Sequence, residues 1–120
     1  MEKNRKKELI EQYKRTKPQM GAFAISCKQN SKCYIQATQD LHGVMNGALA
    51  RLNGGMHPFR ELQKEWSEYG ADSFTMEVLE TLEYDKDESK TDYTEELALL
   101  QMIWEERITQ DGKELYRKRL

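Results

Sequence analysis

Apolar residues follow two spacings along this chain. Over Gly21–Gln36, GAFAISCKQNSKCYIQ, two short apolar runs (Ala22, Phe23 and Ile25, then Cys33, Tyr34 and Ile35) flank the polar Gln29-Asn30-Ser31, the pattern of a β-hairpin. Phe74, Met76 and Val78 alternate with Thr75 and Glu77 and predict a half-buried strand over Ser73–Leu82. Elsewhere the spacing is three to four, the period of a helix. Leu9, Ile10 and Tyr13 form a thin stripe over residues 3–15, ended by Pro18. Leu41, Met45, Leu49 and Leu52 predict a helix that Asp40 caps and Asn53-Gly54-Gly55 stops. His57-Pro58 opens another, closed by Gly70, with Phe59, Leu62, Trp66 and Tyr69 turned inward. The last helix spans Thr94 to Ile108, with Asp92 and Glu95 as a capping box. Leu97, Leu100, Ile103, Trp104 and Ile108 make its stripe, and both Trp66 and Trp104 are expected in the core.

Composition narrows the class. A length of 120 residues supports one domain with a modest core, and 33% charged residues against 38% hydrophobic ones imply a heavily charged surface. No apolar run approaches the roughly 20 residues needed to cross a bilayer, so no membrane association is expected. The opening MEKNRKKELIEQ has no apolar segment behind its basic residues, and a cytoplasmic protein is expected.

The net charge of −2 hides a segregation. Residues 1–18 carry seven Lys/Arg against three Asp/Glu and residues 107–120 five against two, whereas residues 77–106 carry eleven acids against two lysines. The basic ends make Lys3, Arg5, Lys6, Lys7, Arg117, Lys118 and Arg119 candidate nucleic-acid contacts. Alternatively the ends pair with the acidic stretch. Cys27 and Cys33 are expected as free thiols that pack as small apolar groups, since their spacing with His42 and His57 matches no zinc pattern.

With Gly21-Ala22-Phe23 on the first hairpin arm and Tyr34-Ile35-Gln36 on the second, the chain resembles the GIY-YIG nuclease superfamily. The likeness continues through Glu61-Leu62-Gln63-Lys64-Glu65-Trp66 with Tyr69-Gly70, Phe74 with Val78-Leu79-Glu80, and Trp104. It implies an α+β fold, a three-stranded antiparallel sheet flanked by helices, here with an extra N-terminal helix. It also divides the chain into a basic arm (1–19), a GIY-YIG-like domain (20–109) and a basic C-terminal tail (110–120). Active members hydrolyse DNA phosphodiesters with a divalent metal held by one Glu of the last helix. They also use an Arg on the helix after the second signature, two signature tyrosines and commonly a His. A hard cation and a guanidinium stabilise transition-state charge, and a phenol or imidazole handles the proton of the attacking water.

Carried over by position, most of that machinery is missing. The first signature Tyr falls at Phe23, the signature Gly at Gln36, the Arg at Val44 and the metal-binding Glu at Gln101, while Tyr34 and His57 remain. A neutral amide is a poor sole ligand for Mg²⁺. Arg51, Glu96 and Glu105 are the nearest residues that could substitute. His57 is either a remnant of the site or a backbone ligand ahead of Pro58, and Tyr34 either a site or a packing residue. The resulting expectation is a catalytically inactive domain that binds a protein partner, or a second copy as a homodimer, through the altered Val44/Ala48 face. The alternative is nucleic-acid binding with or without weak Mg²⁺-dependent cleavage, and a further one is a small-molecule pocket built from Gln36, Gln101 and His57. No cofactor is expected unless nuclease activity persists.

Overall fold

The computed structural model describes residues 17–116. The expected helix over 3–15 and the basic residues Lys3, Arg5, Lys6, Lys7, Arg117, Lys118 and Arg119 lie outside them.

The hairpin forms where the pattern places it. Strands β1 (Met20–Cys27) and β2 (Lys32–Thr38) pair antiparallel with Ala24 opposite Ile35. Ser31 takes the left-handed conformation (φ 60°) in the connecting turn, and the Asn30 side chain accepts the Lys32 N–H. Helices α1 (Leu41–Asn53) and α2 (Arg60–Tyr69) follow, then β3 (Phe74–Leu82), α3 (Thr94–Gln110) and the two-residue β4 (Glu114–Leu115). The strand order is β3-β1-β2-β4. The antiparallel three-stranded sheet thus gains a short fourth strand, parallel to β2, from the segment read as a tail.

Alternation of side chains sends the apolar residues of β1 and β2 to both faces of the sheet. Phe23, Ile25, Cys27 and Tyr34 meet α1 and α2 in the main core, with Leu41, Leu52, Leu62 and Trp66. Ala24, Cys33 and Ile35 meet α3 through Ile108 on the other face, beside a cluster of Met20, Tyr93 and Leu97. The free thiols of Cys27 and Cys33 are therefore buried on opposite faces. Full burial of Phe23, Ile25, Leu41 or Leu62 contributes roughly 1.5–3 kcal/mol each.

Several stripes differ from the periodic reading. In α1 the buried line is Leu41, Ala48 and Leu52, with Val44 and Met45 half-buried and Leu49 exposed. Tyr69, Val78 and Ile103 are also exposed, and Trp104 is half-buried with its indole N–H donating to Glu80 (2.9 Å). Val78 stands opposite Phe23 on β3, the outer strand of the sheet, next to a register shift at Ala22/Phe23 in the β1–β3 ladder. Gly21 belongs to that irregularity: a Cβ there would stand 2.0 Å from the Glu80 carbonyl oxygen. Asp40 caps α1 as expected, accepting the Gly43 N–H at 3.0 Å. Asp92 instead accepts from the N–H and hydroxyl of Thr94, so it closes a local turn ahead of α3 rather than a reciprocal capping box with Glu95.

Candidate functional site

Between β2, α1 and the His57-Pro58 segment lies a cleft of about 300 Å³. The helix supplies Val44, Gly47, Ala48 and Arg51, which pair off at three- and four-residue spacings (Val44/Gly47, Val44/Ala48, Gly47/Arg51, Ala48/Arg51) and so share one face. The strand supplies Tyr34 and Gln36, which point to the same side because they are two apart. His57 and Pro58 close the third side. Val44, where the resemblance implies an Arg, therefore faces the cleft, and Arg51 brings a guanidinium to the same cleft two turns along α1.

Tyr34 is nearly buried, stacked edge-on against Phe59 (4.6 Å between centroids), His57 (5.3 Å) and Phe23 (6.4 Å). Its hydroxyl donates to the Gln36 side-chain oxygen at 2.8 Å. Burial pushes the phenol up from its ordinary value, with Arg51 opposing. His57 is held on both sides: its backbone N–H donates to the Gln63 side-chain oxygen (2.8 Å), and its ring Nδ1 accepts the Phe59 backbone N–H (3.1 Å). That acceptor role leaves Nε2 as the protonated nitrogen of a neutral ring. Burial first and the Arg51 charge second lower the imidazole from its ordinary range. These two bonds also explain why α2 begins at Arg60 rather than at Pro58: His57 organises the turn that precedes it.

The remaining sequence candidates lie elsewhere. Phe23 is fully buried in the core. Gln101 sits on α3 and its side-chain oxygen accepts the Ala37 N–H (3.1 Å), on the edge of β2 beyond the part that β4 covers. Glu96 pairs with Lys90.

A second polar cluster, absent from the sequence reading, lies at the hairpin end. The Glu65 carboxylate, buried on α2, accepts from Asn30 (2.5 Å), Tyr116 (2.8 Å) and Lys32 (3.2 Å), and Lys32 also reaches Glu61 at 3.1 Å. Burial raises the Glu65 pKa, but the bonds from Asn30, Tyr116 and Lys32 outweigh it and hold the carboxyl below its ordinary range. Burial and the carboxylate together drive Tyr116 strongly up. The adjoining hollow of about 640 Å³ is larger than the cleft, but the Lys32 and Glu61 charges on its wall are already paired. One sequence signal could have revealed Glu65: it lies three residues after Leu62, next to the inward Trp66.

This architecture is the GIY-YIG nuclease fold, an α+β domain with a small, mostly antiparallel sheet flanked by helices. Among solved structures it is similar to the catalytic domain of the homing endonuclease I-TevI. The TM-score is 0.62 at 21% identity, over 81% of this chain and 95% of that one. A point mutant of that catalytic domain gives 0.62 at 19% identity, over 85% and 97%. No family model matches the sequence, and no curated protein matches it either. Among the described residues no helix is long and apolar enough to cross a membrane.

Proposed function

We propose that this chain is a nuclease-fold domain that binds rather than cleaves, engaging a protein partner or a second copy of itself through the altered cleft face. The observation that carries this reading is the Tyr34–Gln36 hydrogen bond: the retained phenol is occupied by the side chain that stands at the signature Gly position. A divalent cation asks for hard, charged oxygens. Among the described residues the lining of this cleft includes no carboxylate, and the Gln101 oxygen is committed to the backbone of β2. The donor set therefore does not fit the metal of active members. Exposed Leu49 and Met56 at the flanks supply apolar area for a partner. The test is incubation of supercoiled plasmid with the full chain and Mg²⁺ or Mn²⁺. No cleavage is expected, and metal-dependent cleavage lost in Tyr34→Phe would overturn the reading.

A second reading is nucleic-acid binding. Arg60 and Lys64 line a hollow that adjoins the cleft across His57, adding two cations to Arg51. It predicts affinity for DNA or RNA that falls steeply with salt and is lost on deleting residues 1–17. Binding indifferent to both would remove it.

A further inference from the structure

We propose that the cleft is a receptor for a single carboxylate group, held by Arg51. The inference rests on the binding reading above and names the chemistry recognised there.

Three features converge on it. Along α1, Val44 and Ala48 form an apolar wall with Arg51 at its end, and among the described residues Arg51 forms no ion pair. The polar groups beside it can donate. Gln36 has its oxygen occupied by Tyr34, which leaves its amide hydrogens, and His57 presents Nε2–H because Nδ1 is already accepting. Among the described residues the lining holds no acid to compete.

Charge then selects the ligand. The imidazole stays neutral beside Arg51, so the cleft offers one full positive charge, which a monoanion balances. A planar carboxylate matches the guanidinium fork through two parallel hydrogen bonds. A phosphate dianion would leave a charge uncompensated in a half-enclosed site. At about 300 Å³ the space takes a carboxylate with a few attached carbons. Such a group can come from a free small acid or from an acidic side chain of a partner.

The experiment is an amide NMR titration of the full chain with sodium acetate and, separately, with a doubly blocked glutamate, against sodium chloride and sodium phosphate at equal ionic strength. Saturable shifts centred on Tyr34, Arg51 and His57 are expected for acetate, for blocked glutamate or for both. Acetate alone points to a free acid, and tighter binding of the blocked glutamate points to a partner side chain. Arg51→Gln should weaken binding at least tenfold. Gly47→Leu should do the same by filling the mouth, since a Cβ at Gly47 meets nothing within 4 Å and so starts in open space. Shifts no larger than those from chloride, tighter saturation by phosphate, or unchanged affinity in Arg51→Gln would overturn the proposal. Loss of carboxylate binding with no plasmid cleavage removes this inference alone, whereas metal-dependent cleavage removes the reading beneath it.

Discussion

Two tyrosine hydroxyls on the same face of the sheet have opposite company. Tyr116 donates to a buried carboxylate that two further side chains also bind, and the charges in that cluster are paired. Tyr34 donates to a neutral amide and feels the charge of Arg51, which forms no ion pair among the described residues. The first arrangement is closed: its donors and acceptors satisfy one another and it ties the hairpin turn, α2 and the end of the chain together. The second keeps donors in reserve. A polar group that stabilises and one that is available for a ligand can thus be told apart by whether its partners are already internal.

The contrast makes ordered predictions. Glu65→Ala should have the largest effect, lowering unfolding free energy by about 2–4 kcal/mol in urea melts, because Lys32, Asn30 and Tyr116 lose a shared acceptor. Tyr116→Phe should cost about 1 kcal/mol, the scale of one hydrogen bond. A cleft substitution, Arg51→Gln, should stay within roughly 0.5 kcal/mol of the parent chain, as expected for an exposed side chain without an ion-pair partner. If Arg51→Gln destabilises as much as Glu65→Ala, the division between the two regions fails.

Acid should act on the closed cluster. Glu65 titrates below its ordinary range in the folded chain, so as pH falls the unfolded chain takes up that proton first. The stability it contributes is complete above the ordinary carboxylate range and is lost as pH falls to the depressed value. Glu65→Gln should flatten that part of the pH dependence of the urea midpoint. The smallest effect belongs to the cleft: the His57 ring should titrate below the ordinary imidazole value by NMR, and Arg51→Gln should raise its midpoint slightly, since burial is the larger cause.

Local patterns carried the fold further than the site. The hairpin, the Asp40 cap and the strand at Phe74 each depend on neighbours within a few residues, and they were legible for that reason. Leu49, Val78 and Ile103 matched the periods yet are exposed, because the position of a helix on the sheet, and of a strand at its edge, decides which part of a stripe is covered. Val44 and Gln36 were recognisable as substitutions by their place in the signatures, but the bond between Gln36 and Tyr34 required rotamers that no spacing contains. Glu65 was hidden most deeply. Its place beside Leu62 and Trp66 hints at its face, but its partners are 35, 33 and 51 residues away, and only tertiary packing brings them to it.

The outer position of β3 bears on how copies of this chain could meet. Among the described residues its outer edge is unpaired, and Glu77 and Glu80 are exposed there on either side of the exposed Val78. Two such edges zipped antiparallel would set rows of carboxylates against each other, a standard protection against strand-to-strand aggregation. At the other border, β4 and the Gln101 side chain already occupy backbone groups of β2. Among the described residues, charge on one border of the sheet and the chain's own contacts on the other disfavour edge-to-edge pairing and favour helical and cleft surfaces for assembly.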